Sequence, residues 1–182
     1  DTPQSFYAAS KKINEIMTYS FSASYKLPST SLRFFTVYGP YGRPDMFLFK
    51  LVKAITEKKK INIHNFGNHE RDFTYVGDVA ESIVKLIKFS PTKDTPYNTF
   101  NIGSNKPTKL KKFINIDEEK FKKKAMKKNI KLQKWDVIKT HSSNIKLVKK
   151  INKTKFVDIE TGITRFIEWY INYYKIKLWK FW

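Results

Sequence analysis

Tyr7 and Lys11 are the first residues in the chain whose types and spacing suggest chemistry, because they form the pattern Tyr7-Ala8-Ala9-Ser10-Lys11. Residues four apart on a helix share a face, so the Lys11 ammonium is expected to lie close to the Tyr7 phenol. A free phenol ionises near pH ~10, and a nearby cation favours the phenolate. The pattern therefore predicts that Tyr7 accepts and donates protons at neutral pH.

This pattern alone is weak evidence, since a tyrosine and a lysine four residues apart are common on helix surfaces. Its weight rises with the segments that follow it in order. These are Leu-Arg-Phe-Phe-Thr-Val-Tyr-Gly-Pro at 32–40, Gly-Arg-Pro-Asp-Met at 42–46, Arg-Asp-Phe-Thr-Tyr-Val at 71–76, and Asp-Val at 78–79.

Helices and strands of ordinary length are predicted around these segments. Apolar residues at helical spacing predict helices over 7–25, 47–55, 77–87 and 107–128, and a final helix over 163–174. Asp45 is expected to cap the second of them. Strands are predicted over 31–37, where the strand is expected to be buried, and over 61–63, 72–76 and 99–102. This alternation indicates an α/β fold.

The composition excludes several classes of protein. The 182 residues are 41% hydrophobic and 16% aromatic, enough for a core, and no apolar run is long enough to cross a bilayer. The absence of cysteine excludes disulfides and thiolate metal sites and fits a reducing cytoplasm, where we expect the protein. Three scattered histidines argue against a metal site.

The formal net charge of +20 raises the question of an anionic partner. Lysines cluster at 58–60, 122–124 and 149–150, but the rest are spread along the chain together with many Asn and Ile residues. Solvated surface lysines explain this pattern better than a nucleic-acid groove does. Residues 175–182 alternate basic and aromatic side chains, and we expect a packed or frayed extension there. We therefore expect neither a nucleic-acid nor a membrane partner.

The ordered segments resemble the C-terminal half of NAD-dependent nucleotide-sugar epimerases and dehydratases of the extended short-chain dehydrogenase/reductase superfamily. The amino-acid sequences of residues 33–40 and 42–46 are most similar to those of UDP-glucuronate 4-epimerases. The resemblance extends to about residue 174, with the most specific matches before residue 79. It implies an α/β fold with the C-terminal part of a Rossmann-type domain and a smaller substrate-binding α/β subdomain, without the N-terminal Gly-rich half.

By that resemblance, Tyr7 is the catalytic base, and Lys11 binds the nicotinamide ribose and tunes Tyr7, so both contact the cofactor NAD. Phe34 or Phe35 is implied to lie near the nicotinamide, although core packing is the better explanation for at least one of them. The implied reaction takes the proton from the sugar 4-hydroxyl to Tyr7 as hydride passes from C4 to NAD. The hydride then returns to the other face of the 4-keto sugar.

The resemblance also implies residues that bind the sugar and the diphosphate. Thr36 matches a sugar-contacting position, and Arg71 matches an arginine that contacts the UDP diphosphate. Arg43 is a second candidate for anion recognition, since a guanidinium pairs with carboxylate or phosphate. Structural alternatives stay open, because Arg43 would also serve to brace its loop and Arg71 to pair with Asp72 or Asp78.

Two further matches concern the nucleotide. Ile63 and Phe66 match the ends of a strand segment whose backbone and aromatic ring hold the uracil. Gln133 and Asp136 match a Gln-Pro-Gly-Asp segment that contacts the diphosphate and ribose. Lys134-Trp135 replaces the Pro-Gly of that segment, so the loop is expected to differ in shape.

The implied domain organisation divides the chain into three parts. Residues 1–38 form the late helix and strand of the NAD-binding domain, and 39–174 mainly bind the UDP-sugar, with interleaved late Rossmann elements. Residues 175–182 form a basic and aromatic tail. No Gly-rich turn of the kind that binds a pyrophosphate is present in the chain. We expect this chain alone neither to bind NAD tightly nor to turn over substrate.

The leading functional hypothesis is epimerisation of UDP-glucuronate to UDP-galacturonate. A nucleotide-sugar 4,6-dehydratase and a UDP-glucuronate decarboxylase are alternatives, because both begin with the same oxidation. A non-catalytic basic binding module and a pseudoenzyme are alternatives from other classes. A homodimer of the full-length form, through a helix pair that includes the helix of Tyr7, is a further expectation from the resemblance.

Overall fold

Helices and strands alternate along residues 2–132 and 137–176, which are the residues that the structure, a computed structural model, describes. Six α-helices lie in these residues: α1 Phe6–Tyr25, α2 Phe47–Glu57, α3 Val76–Ile87, α4 Leu110–Phe121, α5 Ile145–Ile151 and α6 Ile159–Tyr173. The strands there are β1 Ser29–Phe34, β2 Thr36–Tyr38, β3 Lys60–His64, β4 Glu70–Tyr75, β5 Tyr97–Ile102, β6 Pro107–Lys109 and β7 Met126–Ile130.

Parallel strand pairs dominate the sheets. β1 pairs with β5, β2 with β4, and β3 with β7, all in parallel, whereas β6 runs antiparallel to β4. Parallel pairing needs a crossover, and the helices supply it. The predicted α/β class is confirmed.

Two hydrophobic clusters divide the interior. The first is built from α2, α4 and α6 over strands β2 to β4, and Leu51, Phe113 and Phe166 are almost fully buried within it. The second joins α3 and α5 to β5, with Ile102 and Leu147 at its centre. Elements of the two clusters alternate along the chain, so neither cluster corresponds to one continuous segment.

Helix α1 confirms the helix predicted over 7–25, but its apolar face is not buried. Ile13, Ile16, Met17 and Phe21 are each more than half exposed in this chain. Although α1 has 20 residues, no helix among those described is long and apolar enough to span a membrane.

The single strand predicted over 31–37 is wrong in two respects. The chain changes partner at Phe35: β1 pairs with β5 up to Phe34, and β2 pairs with β4 from Thr36. Two short strands in different sheets therefore replace one strand. Phe34, at the end of β1, is 51% exposed, so the expected burial also fails there.

The helix predicted over 107–128 is wrong at both ends. Residues 107–109 form β6 because they pair with β4, and the chain turns out of α4 at Lys122, which has a left-handed φ of 50°. Residues 126–130 then pair with β3 as β7. Tertiary strand pairing overrides local helix propensity at these positions. Helix α5 was not predicted.

The expected cap at Asp45 is also wrong. Met46, not Asp45, occupies the N-cap position of α2, and it makes no side-chain cap hydrogen bond. The Asp45 carboxylate accepts hydrogen bonds from Arg43 instead. In contrast, Asp158 caps α6 by accepting a hydrogen bond from the Thr161 amide (2.9 Å).

Candidate functional site

Helix α1 carries Tyr7 and Lys11 in its first turns. The helix begins where Ser5 Oγ accepts a hydrogen bond from the Ala8 amide (3.1 Å). Lys11 Nζ lies 5.4 Å from the centroid of the Tyr7 ring, so the helical spacing does bring the cation against the phenol. Tyr7 is 73% exposed and borders a cavity between α1 and the loop after β2.

This first cavity has a volume of about 510 Å³ and gathers residues from separate elements. Its lining includes five of the predicted site residues: Tyr7, Phe34, Phe35, Thr36 and Arg43. Residues 34–36 lie where the parallel strand β1 ends, and open α/β sheets bind ligands at this edge. The cavity therefore combines a phenol and a cation with aromatic faces and a hydroxyl.

Arg43 forms an ion pair within its own loop. Its Nε donates to Asp45 Oδ1 (3.0 Å), and its Nη2 donates to Asp45 Oδ2 (2.5 Å). These hydrogen bonds raise the pKa of Arg43 and hold the pKa of Asp45 below its usual range. Both side chains are exposed, so the pair braces the loop while the guanidinium stays at the cavity.

A second cavity, of about 320 Å³, adjoins the first. It contains Arg71 and two histidines, and its full lining is Thr36, Met46, Phe47, His64, His69, Arg71, Phe73 and Leu110. Four of these residues, Thr36, Met46, Phe47 and Phe73, also line the first cavity. The two cavities are therefore neighbours with a common set of lining residues, and Tyr7 lines only the first while Arg71 lines only the second.

Arg71 lies on β4 and is oriented by backbone carbonyls. Its Nη1 donates to Glu70 O (3.1 Å) and to Ile138 O (3.2 Å). The two carboxylates considered as structural partners have other contacts. Asp72 accepts hydrogen bonds from Ser104 and Ser142, and Asp78 pairs with Lys153 (2.9 Å).

The buried Asp72 carboxylate ties three segments together beside Arg71. Its Oδ1 accepts from the amide and the hydroxyl of Ser104, both at 2.8 Å. Its Oδ2 accepts from the amides of Asn105 and Ser142, both at 3.0 Å, and from the Ser142 hydroxyl at 2.6 Å. The residue is fully buried. Asp72 therefore fixes the turn after β5 and the 138–142 segment against β4.

The remaining predicted residues lie elsewhere. Ile63 is 2% exposed and belongs to the first hydrophobic cluster. Phe66 has a left-handed φ of 53°, is 51% exposed, and is not among the lining residues of the two cavities. Gln133 and Asp136 lie outside the described residues.

Sequence reasoning missed His64 and His69, both of which line the second cavity. Alternation along β3 was an available signal: Ile61 and Ile63 are buried, so neighbouring positions face away from that core. His69 is only 4% exposed. Among the described residues, no group of acidic and histidine side chains is arranged to hold a metal ion.

Comparison with protein families gives a match over the first part of the chain. The model of the NAD dependent epimerase/dehydratase family matches residues 1–103. Protein CapI of Staphylococcus aureus is 44% identical over 189 residues, covering 96% of this chain and 57% of its own length. A probable UDP-glucuronate 4-epimerase of Rhizobium meliloti is 38% identical, covering 96% of this chain and 56% of its own length. The chain thus spans a little over half the length of these curated relatives.

A solved structure with both ligands bound is also similar. The UDP-glucuronic acid 4-epimerase of Bacillus cereus, in complex with UDP-glucuronic acid and NAD, superposes with a TM-score of 0.87 at 26% identity. The match covers 95% of this chain and 55% of the Bacillus cereus chain.

Proposed function

The chain belongs to the NAD dependent epimerase/dehydratase family, and from that premise we propose that it supplies the acid/base and substrate-binding part of a UDP-glucuronate 4-epimerase. The proposed reaction inverts C4 of a UDP-hexuronic acid through a transient 4-keto sugar. We assign residues 1–38 to the cofactor domain, 39–174 mainly to substrate binding, and 175–182 to a tail.

One observation carries this proposal: Tyr7 lines one cavity, Arg71 lines a second, and the two cavities have lining residues in common. A UDP-sugar has its reacting ring at one end and its diphosphate in the middle. Thr36 lines both cavities, the one with the phenol that would act on the ring and the one with the guanidinium that would bind the diphosphate. This arrangement supports a nucleotide-sugar substrate better than a compact metabolite.

Tyr7 would act on the sugar 4-hydroxyl. Its phenol borders the cavity on an exposed surface of α1, where a bound sugar ring can approach it. The Lys11 ammonium lies 5.4 Å from the phenol ring centroid, so a cation accompanies the phenol at this end of the helix. Tyr7 would take the hydroxyl proton in the oxidation half of the cycle and return it in the reduction half.

The residues at this end of the first cavity fit the nicotinamide portion of NAD. Phe34 and Phe35 offer apolar faces for a flat ring, and Lys11 offers a donor for ribose hydroxyls. NAD, when bound, supplies a hydride acceptor that is regenerated in each cycle. No Gly-rich turn of the kind that binds a pyrophosphate is among these 182 residues, so these residues by themselves would not hold NAD tightly.

Arginines would select the anionic groups of the substrate. Arg71 is proposed to bind the diphosphate, since a guanidinium pairs with phosphate oxygens in a bidentate way. Arg43 lies at the cavity of the sugar ring, where a UDP-hexuronic acid carries its carboxylate. The Asp45 partner would share that guanidinium with the substrate. Thr36 offers a hydroxyl for the sugar or its carboxylate.

Product analysis tests the reaction. The chain would be fused to the N-terminal part of the Staphylococcus aureus relative, the part of that protein that the chain does not cover. This chimera would be incubated with UDP-glucuronate and NAD. UDP-galacturonate without release of carbon dioxide supports the proposal. UDP-xylose with carbon dioxide identifies a decarboxylase, and an unchanged substrate with a folded, NAD-loaded chimera contradicts the proposal.

Direct binding to the chain itself tests the substrate site separately. Titration calorimetry would compare UDP-glucuronate with uridine. We expect the UDP-sugar to bind and Arg71→Ala to weaken that binding by about tenfold or more, because a charged hydrogen bond is lost. The control is Arg165→Ala, since Arg165 contacts Tyr75 outside the two cavities.

The exposed apolar face of α1 supports a homodimer of the full-length form through this helix. Four large apolar residues of α1, at positions 13, 16, 17 and 21, are each more than half exposed. Sedimentation of the chimera with Ile13 and Met17 changed to Ser would test this pairing. A dimer that persists in the variant would contradict it.

A further inference from the structure

Two lysine clusters that are far apart in the sequence lie side by side in the fold. Residues 58–60 lead into β3, and residues 122–124 lead into β7. The parallel register aligns Lys60 with Met126 and Asn62 with Lys128. The turns at 58–60 and 122–124, here called the lysine turns, therefore lie at the same end of the β3–β7 sheet. Neighbouring strands lie about 4.8 Å apart, which makes these turns adjacent. We call residues 58–60, 122–124, 127 and 128 the lysine face.

Both turns have the same backbone construction. Helix α2 ends at Lys58 and helix α4 at Lys122, each in the left-handed conformation, with φ values of 54° and 50°. The amide of Lys59 then donates to Ala54 O (2.9 Å), and that of Lys123 donates to Glu118 O (3.0 Å). These hydrogen bonds fix the direction in which each lysine turn leaves its helix.

A buried carboxylate anchors the second turn. Glu118 is almost fully buried, and its Oε1 accepts from the Ala125 amide (2.9 Å) and from Lys127 Nζ (2.8 Å). Its Oε2 lies 3.0 Å from Lys124 Nζ. Burial raises the pKa of Glu118, but the hydrogen bonds from Lys127 and Ala125 outweigh it, so the net pKa is lowered. The turn is therefore an ordered part of the fold.

The lysine face has a large excess of positive charge. Residues 57–60 and 118–128 contain nine lysines and three glutamates. Glu57 is shared between Lys53 and Lys59, and Glu118 between Lys124 and Lys127. Most of these lysines are exposed to solvent. Charges closer together than the ~8 Å screening length at physiological salt act jointly on a facing surface.

The chemistry of this face favours a diffuse anionic surface over nucleic acid. It contains lysines and no arginine, whereas arginine is the side chain that recognises phosphate geometry and stacks on bases. Met126 lies among these lysines, and its apolar side chain is 46% exposed. Hydrated point charges around an apolar side chain suit a layer of lipid headgroups.

We propose that the lysine face binds the surface of an anionic lipid bilayer, with the protein lying on the membrane and not crossing it. This proposal rests on the β3–β7 register and on the exposed lysines that it brings together, and it does not require the proposed enzymatic function. It departs from the expectation from sequence, which assigned these lysines to solvated surface and expected no membrane partner.

Vesicle binding by the 182-residue chain tests the proposal. The partition coefficient would be measured by cosedimentation with vesicles of phosphatidylcholine and with equimolar phosphatidylcholine and phosphatidylserine. We expect binding at least about tenfold stronger to the anionic vesicles and weakened by salt, since each basic side chain near such a surface contributes about fivefold. Equal partitioning into both vesicles would overturn the proposal.

A matched pair of variants separates the lysine face from net charge. The face variant combines Lys58→Asn, Lys60→Gln, Lys122→Asn and Lys128→Gln, which keeps the ion pairs of Glu57 and Glu118. Asparagine is tolerated at the two left-handed positions. The control removes the same charge around the second hydrophobic cluster by Lys→Gln changes at positions 88, 93, 149 and 155.

We expect the face variant to lose at least about tenfold in anionic vesicle binding and the control to lose less than about threefold. Equal losses would show that only net charge matters, and they would overturn the proposal. Tighter binding of the parent chain to duplex DNA or RNA at matched phosphate concentration would also overturn it. Should the face variant fail to fold, as judged by circular dichroism, Lys60→Gln with Lys128→Gln provides a second comparison against Lys88→Gln with Lys149→Gln. The face pair is expected to lose more vesicle binding than the control pair, and equal losses would overturn the proposal.

Discussion

The Tyr41 ring lies 5.1 Å from the Trp169 ring, and this contact joins the loop after β2 to helix α6. Tyr41 has a left-handed φ of 59°, a conformation that costs a non-glycine residue about 1–2 kcal/mol. Tyr173 adds a second aromatic contact at 6.5 Å. The same loop carries Arg43 at the first cavity. Helix α6 thus helps to hold one wall of the candidate site.

Tyr41→Ala is expected to weaken UDP-glucuronate binding by about three- to tenfold, because the loop loses an aromatic contact worth about 0.5–1.5 kcal/mol. Tyr41 is 80% exposed, so global stability should change by less than about 1 kcal/mol. Calorimetry and urea unfolding would measure the two quantities. Tyr41→Phe keeps the ring and should bind normally. A Tyr41→Ala variant with parental affinity would contradict the role of this contact.

Tyr7→Phe in the active chimera is expected to lower turnover of UDP-glucuronate by about a hundredfold to ten-thousandfold, the usual loss for a general acid/base. Substrate affinity should change little, because the ring remains. The matched control is Tyr19→Phe on the same helix, whose ring packs against Tyr97 away from the cavity. Unchanged turnover in Tyr7→Phe would show that Tyr7 is not the base.

Asp72→Ala is expected to lower the free energy of unfolding by at least about 3 kcal/mol, because several buried donors lose a charged acceptor. Ser142→Ala removes one of these donors and should cost less. The control is Asp94→Asn, since Asp94 is exposed and its pair with Lys26 should be worth less than about 1 kcal/mol. Similar losses of unfolding free energy for Asp72→Ala and Asp94→Asn in urea would contradict the role of Asp72 in holding these segments together.

Asp117 and Asp158 should give opposite pH dependences of stability. Burial, with a smaller effect of the Glu118 carboxylate, raises the pKa of Asp117 well above its usual range. The unfolded chain releases that proton at lower pH than the folded chain does, so the parent loses stability as pH rises. The hydrogen bonds of Thr161 lower the pKa of Asp158, so its contribution is present at neutral pH and is lost as pH falls.

Asn variants measure both effects. Relative to the parent, Asp117→Asn should gain stability as pH rises from about 4 to about 7, and Asp158→Asn should lose stability as pH rises from about 2 to about 5. Urea unfolding at each pH provides the values. The Asp158 effect will be small, because that side chain is close to solvent. Slopes of the same sign would contradict these assignments.

NAD content of the purified chain tests the expectation that a further part is needed. We expect far less than one NAD per chain, because no Gly-rich pyrophosphate turn is present in the 182 residues. Chromatography of the supernatant after acid denaturation would quantify the bound cofactor. Stoichiometric NAD would overturn the expectation.

The sequence predicts most where one element depends on local pattern alone. Helix α2 follows its apolar spacing, and Leu51 and Val52 are fully buried as expected. The Tyr7–Lys11 contact also follows from helical geometry. Prediction fails where a tertiary partner determines the secondary structure. Strands β6 and β7 form because they pair with β4 and β3, and the local sequence of this lysine-rich segment does not indicate that pairing.

The candidate site shows the same limit. Motif matching identifies Tyr7, Thr36 and Arg71, which line two neighbouring cavities in the fold. It does not identify His64, because a motif records residue types and not the face of β3 from which a side chain projects. The pairing of Arg43 with Asp45 could not be predicted from the sequence either, since Asp45 was equally well placed to cap α2.

The parallel pairing of β3 with β7 has a consequence for how the chain acquires its structure. Lys60 cannot pair with Met126 until the residues between them have been synthesised. The same holds for Ser29 and its partner Tyr97. During synthesis, β1 and β3 therefore leave the ribosome before their partners β5 and β7, while α1 and α2 can form at once from local contacts. Closing such long loops costs conformational entropy before the strand hydrogen bonds form, and this slows folding. We expect the helices to gain protection against hydrogen exchange before these strand pairs do, and the β1 and β3 edges that later meet β5 and β7 to be prone to aggregation in the nascent chain.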